Sequence, residues 1–447
     1  MSNSTNRTLI LGGGFAGLFT ALHLSHQRYP LPTFLIDREE RFIFKPLLYE
    51  FLSGEMGADQ VWPRYDELLY DSGVAFVQDT VQAIDLPTQQ VELTSGLHYT
   101  YSHLVLALGS TTSYFGISGA KENSRPFRNG SDAVSLARHL RDCLQRASQL
   151  ADPQASCPLL TVAIIGAGPT GVELAATLAD LLPNWYAQLG GNAQEIRVVL
   201  INRGTEILKG DINRHFREIA QNALQQRTVP VELLMEVEVS AVHANQVEFK
   251  RNHQPEALQA ATIVWTAGTQ THPLIKALPI PEEHRDQQGR IRVSPTLQVP
   301  GFPEVFAGGD CAAYVQTAQQ PEPARGQGKD LNPLPATAQV AYQQGAAIAR
   351  NLNALSKGNS PSSAHVSLRG TLLKLGVREC AASLFNRFEV TGKLGHLIRI
   401  ATYLELLPTP VHNFKATVEW LTDEVFHRYN SPVNLTSIAA GKKSTDD

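Results

Sequence analysis

Two glycine triplets with the spacing G-x-G-x-x-G constrain the fold of this chain more than any other feature. Each follows a short apolar run and precedes a helical pattern, in TLILGGGFAGLFTA (8–21) and TVAIIGAGPTGVELA (161–175). In such a unit the first glycine permits a tight turn, and the second lets a pyrophosphate approach the backbone. The third glycine lets helix and strand pack closely, and the N-terminus of the helix attracts the negative charge of the phosphates. Two units in one chain predict two bound dinucleotides that face each other, so that a hydride can pass between them. The triplets are Gly12, Gly14 and Gly17, and Gly166, Gly168 and Gly171.

The residues that follow the second strand differ between the two units. Asp37 comes twenty residues after Gly17, where an acid holds a ribose hydroxyl. The second unit has Asn202 and Arg203 at this place. Neutral Asn202 does not repel a 2′-phosphate, and Arg203 can pair with one through charge-assisted hydrogen bonds. The sequence therefore predicts that the chain uses NADPH. In the alternative, Arg203 is only solvated and the chain uses NADH.

Composition describes an ordinary globular protein of two or three domains. The 447 residues are 43% hydrophobic and 18% charged, and the formal net charge of -4 indicates no strong attraction to nucleic acid. The four cysteines form no C-x-x-C or C-x4-C pair, so neither a redox disulfide nor a zinc site is indicated, and a reducing compartment fits. The N-terminal MSNSTNR leaves no room for a signal peptide, and no run of eighteen apolar residues predicts a spanning helix.

Three further strands end in glycine. LVLALGS closes on Gly109 and TIVWTAG closes on Gly268, as strands that return beneath a nucleotide do, although any buried strand has this composition. EVFAGGDCA runs into Gly309 and Asp310. An Asp after such a turn can accept a hydrogen bond from a flavin ribityl chain while neighbouring amides face the pyrophosphate. We therefore expect a flavin contact there, with an ordinary Gly-Asp turn as the alternative.

Two helices carry candidate catalytic residues. The helix at 335–352 contains Ala338, Gln339 and Gln343, where small residues admit a flat ring and amides can donate to a quinone oxygen. The alternative is an alanine-rich packing helix. Glu173 is placed on the first turn of the second cofactor helix, where it either complements the helix dipole or lies beside the nicotinamide and moves protons.

The C-terminal part has an amphipathic character. From 394 to 407, leucine and isoleucine recur at helical spacing while His396 and Arg399 occupy the other face. A second stretch, 411–426, contains Trp420. Such a pair can lie in a membrane interface, cap the core or form a dimer contact.

The predicted fold is α/β, with two Rossmann-like dinucleotide-binding domains of a two-dinucleotide flavoprotein and a C-terminal amphipathic helical segment for membrane association. The predicted ranges are 1–125 and 290–355 for the FAD-binding domain, 126–289 for the NAD(P)H-binding domain, and 356–447 for the membrane or dimer segment.

Taken together, the paired triplets, the GGD turn, the A-Q-x-A-x-Q helix and the amphipathic tail resemble type II NAD(P)H:quinone oxidoreductases over almost the whole chain. The stretch ERFIFKPLLYEFLSGEM (40–56), with Asn202 in place of an acid, resembles most the cyanobacterial and plastid branch, which includes demethylphylloquinone reduction in vitamin K1 synthesis. Gly308, where the family often has a larger apolar residue, is a departure.

The resemblance implies non-covalent FAD, NADPH or NADH as substrate, two-electron reduction of a membrane quinone without proton pumping, and a homodimer. It also implies peripheral attachment to the cytoplasmic face of a thylakoid or plasma membrane. A respiratory NADH:plastoquinone or ubiquinone reductase is the alternative.

The resemblance also assigns roles to single residues. The catalytic candidates are Glu173, Gln339 and Gln343. The FAD candidates are Gly12, Gly14, Phe15, Ala16, Gly17, Asp37, Arg38, Lys45, Gly109, Gly309, Asp310, Ala338 and Gln339. The NAD(P)H candidates are Gly166, Gly168, Gly171, Asn202, Arg203 and Gly268, and no metal ligands are predicted.

Two rival functions remain open at this point. A sulfide:quinone oxidoreductase needs cysteines beside the flavin, whereas Cys143 and Cys157 fall in a polar helix and a linker before the second motif. If the chain is instead a flavin-binding redox sensor, we expect a stable charge-transfer complex with the nicotinamide and a negligible rate of turnover with any quinone.

Overall fold

The computed structural model describes residues 6–210, 212–316, 332–384 and 388–426. The sequence predicts a polar loop rich in Pro, Gly and Gln at 319–332, which lies outside these residues except for its last one. His427, for which no metal spacing is predicted, lies outside them as well. The helices are α1 (Phe15–His26), α2 (Leu48–Ser53), α3 (Ala58–Val61), α4 (Tyr65–Leu68), α5 (Ala120–Asn123), α6 (Gly130–Ser148), α7 (Pro153–Leu160), α8 (Pro169–Gln188), α9 (Arg214–Gln225), α10 (Pro273–Ala277), α11 (Ala338–Ser356), α12 (Gly392–Glu405) and α13 (Pro410–Phe426).

The chain also forms twenty-four strands within the described residues. The N-terminal strands are β1 (Thr8–Leu11), β2 (Thr33–Asp37), β3 (Val74–Gln78), β4 (Val81–Asp85), β5 (Gln90–Leu93), β6 (His98–Thr100), β7 (His103–Leu106), β8 (Ser110–Thr112), β9 (Arg125–Pro126), β10 (Thr161–Ile165), β11 (Arg197–Ile201) and β12 (Glu232–Leu234). The later strands are β13 (Val237–His243), β14 (Gln246–Arg251), β15 (Gln254–Gln259), β16 (Thr262–Trp265), β17 (Thr269–Thr271), β18 (Ile291–Arg292), β19 (Gln298–Val299), β20 (Phe302–Ala307), β21 (Ala312–Ala313), β22 (Gly370–Gly376), β23 (Glu379–Leu384) and β24 (Phe388–Thr391).

The chain divides into two compact units, and each is made of three separate segments. Unit 1 comprises Met1–Phe42, Pro63–Thr111 and Thr269–Leu368. Unit 2 comprises Ile43–Trp62, Thr112–Gly268 and Arg369–Asp447. The predicted α/β class is confirmed, whereas the four predicted domain ranges stay predictions.

Unit 1 is built on a six-stranded sheet with the strand order β19-β20-β7-β1-β2-β3. All its pairs are parallel except β19 with β20. The four residues of β1 are buried, as expected of a parallel strand that is covered on both faces. Helices α1 and α11 pack together at Gly345, where an added Cβ would come 2.5 Å from the carbonyl oxygen of Ala16.

Gly308, the departure from the family pattern, has a packing explanation. It follows β20, and a Cβ added there would lie 3.1 Å from Cδ1 of Ile348 on α11 and 3.5 Å from Cβ of Ala16 on α1. A larger side chain would push these helices away from the strand. Glycine at this position therefore allows both helices to approach the turn.

Unit 2 is built on a five-stranded parallel sheet with the order β12-β11-β10-β16-β9. The antiparallel sheets β13-β14-β15 and β22-β23-β24 accompany it. Helix α8 is buried along most of its length, in agreement with its alanine- and leucine-rich sequence. The interpretation of Cys157 as part of a linker is wrong, because Asp152 caps α7 through the backbone N–H of Gln154 (2.9 Å) and the cysteine lies within this helix.

The last two helices orient their faces in an unusual way. In α12 the buried residues include His396 and Arg399, whereas Leu394 and Leu397 are exposed. His396 and Arg399 of the predicted polar face therefore point inward together with Ile400 and Leu404, while two leucines of the apolar face point outward. Over the described residues, no helix combines the length and hydropathy needed to cross a bilayer.

Candidate functional site

The first glycine triplet forms an open cradle between β1 and α1 in unit 1. A Cβ at Gly17 would lie 1.8 Å from the carbonyl oxygen of Gly12, so this glycine is required for the close packing of helix on strand. A Cβ at Gly14, the N-cap, would meet nothing within 4 Å. The first turn of α1 has no acidic residue, so its N-terminus is available to phosphate charge. The hydroxyl of Tyr65, which the sequence did not indicate, donates to the carbonyl oxygen of Gly13 (2.7 Å) and fixes the turn.

Asp37 is tied to the backbone of this cradle. Its Oδ2 accepts from the N–H of Gly13 (2.5 Å) and its Oδ1 from the N–H of Glu39 (2.8 Å). Burial raises the pKa of Asp37, and these two N–H groups oppose the rise. Each carboxylate oxygen still has acceptor capacity, so a ribose hydroxyl can donate to the same group. The neighbouring candidate Arg38 is exposed and pairs with Glu39 (3.3 Å), and Phe15 packs edge-on against Phe42.

The GGD turn is held from two sides within unit 1. The hydroxyl of Ser110 donates to Oδ2 of Asp310 (2.9 Å), and the N–H of Gly309 donates to Oε1 of Gln344 on α11 (2.7 Å). Cys311 is buried, and burial raises its pKa to about 12, so it is a protonated thiol at neutral pH. The sequence indicated Asp310 but not its partner Ser110, because the two residues are distant in the chain.

The candidate quinone-side amides have different surroundings. Gln343 uses its side chain internally, since Nε2 donates to the carbonyl oxygens of Gln339 (2.8 Å) and Ser367 (3.0 Å) and Oε1 accepts from the N–H of Ser367 (2.9 Å). A quinone could use this amide only by displacing those bonds. Gln339 and Ala338 are half-buried at the start of α11, and their roles stay predictions.

The second triplet repeats the cradle between β10 and α8 in unit 2. A Cβ at Gly171 would lie 1.8 Å from the carbonyl oxygen of Gly166, and one at Gly168 would meet nothing within 4 Å. Thr266 supports the turn, because its hydroxyl lies 2.9 Å from the carbonyl oxygens of Ile165 and Gly166. This geometry matches that of the first cradle and leaves the backbone at Gly168 open to a pyrophosphate.

Asn202 organises the loop that follows β11. Its Oδ1 accepts from the N–H of Ala167 (3.4 Å), and its Nδ2 donates to the carbonyl oxygens of Gly204 (3.2 Å) and Glu206 (3.1 Å). The amide is therefore engaged within the loop. Arg203 is left exposed to solvent.

Glu173 does not lie in the first turn of α8, as predicted, but in the second. The helix begins at Pro169 with Gly168 as N-cap and has no acidic residue in its first turn. The explanation through the helix dipole is therefore wrong. Oε1 of Glu173 accepts from the backbone N–H of Lys374 on β22 (2.8 Å), and Nη2 of Arg399 lies 3.5 Å away.

These residues belong to a buried ionic cluster in unit 2, whose members are Glu50, Glu55, Glu173, Lys374 and Arg399. Nζ of Lys374 lies 3.3 Å from Oε1 of Glu50 and also contacts Oε2 of Glu55. Arg399 pairs with the same oxygen of Glu50, and its guanidinium lies 5.0 Å from the ring centre of Tyr403. Glu50, Lys374 and Arg399 have no exposed surface.

The pKa values in the cluster follow from burial and pairing. Burial alone would raise the pKa of Glu50, but Arg399 and Lys374 outweigh it and lower that pKa. Glu173 has weaker pairing, so burial raises its pKa to about 7 although Arg399 and the N–H of Lys374 oppose the rise. Glu50 and Arg399 are thus charged at neutral pH, whereas Glu173 changes its protonation state near neutral pH.

Of this cluster, the sequence singled out Glu173 but not its partners. Glu50 lies within an apolar run, Lys374 within a strand and Arg399 on the predicted polar face of a helix. Their partners are more than a hundred residues away in the chain. An isolated charge in an apolar run was the one available signal, since burial of such a charge requires a partner.

Comparison with known proteins places this architecture in a family. A family model described as pyridine nucleotide-disulphide oxidoreductase matches residues 6–345. The chain belongs to this family.

Two similar relatives are quinone reductases by name. The chain is 33% identical to demethylphylloquinone reductase NdbB of Synechocystis, over 94% of this chain and 97% of that one. It is 31% identical to the alternative NAD(P)H-ubiquinone oxidoreductase C1 of Arabidopsis thaliana, over 98% and 85%. The structure of NDH2 from Plasmodium falciparum in complex with NADH matches 95% of this chain and 99% of the NDH2 chain, with a TM-score of 0.83 and 18% sequence identity. This similarity shows the fold.

The predicted resemblance to type II NAD(P)H:quinone oxidoreductases is confirmed, and this pyridine nucleotide-disulphide oxidoreductase is an oxidoreductase enzyme. Its family supports a flavin and NAD(P)H as the redox groups. Among the described residues, the four cysteines are unbridged, and Cys157 is the exposed one.

Glu173→Gln is expected to remove a pH dependence of stability. Burial raises the pKa of Glu173 to about 7 in the folded chain, whereas the unfolded chain loses this proton near the ordinary glutamate pKa of 4.5. The contribution is fully present below pH 4.5 and is lost as the pH rises through 7, which amounts to about 3 kcal/mol. Urea unfolding of the unmodified protein and of Glu173→Gln from pH 5 to pH 8 measures this contribution. If the unfolding free energies of the two proteins change with pH in the same way, the expectation is contradicted.

Proposed function

We propose that the chain is an FAD-dependent NAD(P)H:quinone oxidoreductase that reduces a membrane naphthoquinone of the demethylphylloquinone type by two electrons. The observation that carries the proposal is the pair of open cradles, in which Gly14 and Gly168 leave the backbone free for a pyrophosphate. The 33% identity to a demethylphylloquinone reductase supports the naphthoquinone. Because the chain is also 31% identical to a ubiquinone reductase, ubiquinone is the alternative acceptor.

The residues of unit 1 fit FAD. Gly14 and the N-terminus of α1 would hold its pyrophosphate, Asp37 would hold the adenosine ribose, and Asp310, oriented by Ser110, would hold the ribityl chain. A bound FAD supplies hydride acceptance from NAD(P)H and two-electron delivery to the quinone. The chain itself contributes binding and orientation, so it needs no side-chain nucleophile.

Glu173 is proposed as a proton-holding group in unit 2. Reduction of a quinone consumes two protons, and a carboxyl with a pKa of about 7 can give and regain one near neutral pH. Arg399 and the N–H of Lys374 fix its orientation. Its role beside the nicotinamide remains part of this proposal.

Anaerobic stopped flow tests the redox function. Addition of NADPH or NADH should bleach the flavin absorbance, and a quinone should restore it. Steady-state rates with methylated and demethylated naphthoquinones and with ubiquinone then separate the candidate acceptors. If neither nucleotide bleaches the flavin the function is wrong, and sulfide-dependent quinone reduction would favour the sulfide:quinone oxidoreductase instead.

Arg203→Glu is expected to lower kcat/KM for NADPH at least about tenfold and to leave that for NADH nearly unchanged. The exposed Arg203 lies in the loop that Asn202 ties together, and a carboxylate there would repel a 2′-phosphate. A cavity of about 210 Å³ nearby is lined by Thr205, Arg214 and Arg217 among others. Arg146→Glu, an exposed arginine on α6, is the control, and an unchanged NADPH to NADH ratio would remove the NADPH assignment.

The apolar face of α12 and α13 is proposed to dock on a membrane. Its exposed residues are Leu394, Leu397, Val411, Phe414, Val418 and Leu421. Val411 and Phe414 are 79% and 73% exposed. Because fully burying one such side chain contributes about 1.5–3 kcal/mol, this face can hold the protein at an interface without a spanning helix.

The double variant Val411→Glu/Phe414→Glu should reduce co-sedimentation with phosphatidylcholine vesicles at least about tenfold. Leu97→Glu changes an exposed leucine of unit 1 and serves as the control. Equal binding of the double variant and the control would show that this face does not carry the attachment.

A further inference from the structure

Phe115 is a bulky residue in a strained backbone conformation, and it stands largely in solvent. Its φ is +51°, in the left-handed region that non-glycine residues other than Asn and Asp seldom adopt. The residue is 66% exposed, so burial of the ring does not offset the strain. Such a conformation persists where the surrounding structure holds it.

The conformation belongs to a tight turn in unit 2, because the N–H of Ile117 donates to the carbonyl oxygen of Tyr114 (3.0 Å) and Gly116 also has a positive φ (+70°). The N–H of Ser113 donates to the carbonyl oxygen of Gly268 (3.3 Å), and Nε1 of Trp265 donates to the carbonyl oxygen of Ser113 (2.9 Å). The ring of Tyr114 packs on that of Trp265, with 5.5 Å between centroids. The chain is therefore anchored to the segment after β16 on the N-terminal side of Phe115, and the ring of Phe115 is projected outward.

The ring lies at the rim of the second cradle. A Cβ added to Gly268 would come 2.3 Å from Cζ of Phe115, so the ring lies directly against this glycine. One residue earlier, Ala267 lies beside the turn of the cradle, since a Cβ added to Gly166 would come 2.7 Å from the Cα of Ala267. Phe115 thus belongs to the carboxyl edge of β10 and β16.

This edge is the point where the strand order of the sheet reverses. From β10 the order continues to β11 and β12 on one side and to β16 on the other. Ligands of open α/β sheets bind at such a switch point. The residue after the second strand, here Asn202 after β11, marks the side of the adenosine ribose. The other half of the dinucleotide therefore extends toward β16 and Phe115.

We propose that the Phe115 ring packs against the nicotinamide riboside half of NAD(P)H and positions it. The proposal rests on the proposed function, because it requires the second cradle to bind NAD(P)H. Phe115 acts as a positioning residue that takes no part in proton or electron transfer. An aromatic face beside a planar nicotinamide adds contact area and a favourable ring–ring interaction.

Isothermal titration of the flavin-loaded full chain tests the contact. The ligands are NADP⁺ and 2′,5′-ADP, which lacks the nicotinamide riboside, with NAD⁺ and ADP as a second pair. Phe115→Asn removes the ring in a residue that tolerates the left-handed conformation. It should weaken the whole dinucleotide about tenfold and leave the adenosine fragment unchanged. Phe115→Tyr should retain the native affinity for both.

Leu189→Ala is the matched control, because it truncates an exposed apolar side chain at the opposite end of α8. If Phe115→Asn loses the same affinity for the dinucleotide and for the adenosine fragment, or loses affinity for neither, the proposed role of Phe115 is overturned. Retained unfolding free energy in Phe115→Asn shows that the change is local. If the unmodified chain binds neither ligand, the proposed function fails too, which distinguishes that result from failure of the inference alone.

Discussion

Gly14→Ala is expected to leave the unfolding free energy of the flavin-free protein unchanged and to weaken FAD binding about 10- to 100-fold. The added methyl group meets no protein atom within 4 Å, so the fold does not resist it. It occupies the space through which the pyrophosphate must approach the backbone, and overpacking of this kind costs about 1–3 kcal/mol. Flavin fluorescence titration and urea unfolding of the flavin-free protein measure the two quantities.

Gly17→Ala is the informative comparison, because it adds the same methyl group two residues into α1. Here the methyl carbon would lie 1.8 Å from the carbonyl oxygen of Gly12, so helix and strand must separate. We expect a loss of about 2 kcal/mol or more in the flavin-free protein. Equal destabilisation by both substitutions would show that the open face at Gly14 is not a ligand site.

Arg399→Met is expected to lower the unfolding free energy by about 3–5 kcal/mol. The substitution leaves Glu50 buried with only Lys374 as a cation, and a buried carboxylate without its full compensation is costly. Methionine has nearly the length of arginine, so lost charge rather than lost volume dominates the effect. Urea unfolding at pH 7 measures the loss.

Two controls separate this effect from a general response to loss of an arginine. Arg146→Met breaks an exposed pair with Asp142 (3.6 Å) and should cost no more than about 0.5 kcal/mol. Glu50→Gln combined with Arg399→Met removes both charges and should recover part of the stability. If the double variant is no more stable than Arg399→Met, the cluster does not act through pairing of these two residues.

The parts of the fold that sequence reasoning predicted are those with local signals. A glycine triplet occupies six consecutive positions, so the turn geometry at Gly12 and Gly17 follows from residues that are neighbours in the chain. The same holds for Asp37, whose bond to Gly13 joins two positions of one strand–helix–strand unit. The Asp310 turn was likewise visible as a strand that runs into two glycines.

The parts that were missed depend on partners far away in the chain. No residue near Glu50 in the sequence indicates that Arg399 is its partner, and the pairing of these two residues decides which face of α12 is buried. Hydrophobic periodicity gave the helix correctly but could not indicate that its arginine points inward. Phe115 was missed for another reason, since its backbone conformation has no signature in an amino-acid pattern.

The three-segment construction of unit 2 has a consequence for biosynthesis. Glu50 is made early, whereas Lys374 and Arg399 leave the ribosome more than three hundred residues later. Until then a nascent chain carries an acidic side chain in an apolar run without its cations, and the second unit cannot close. Completion of this unit is therefore late in synthesis, and chaperone dependence should concentrate in the interval before its last segment emerges.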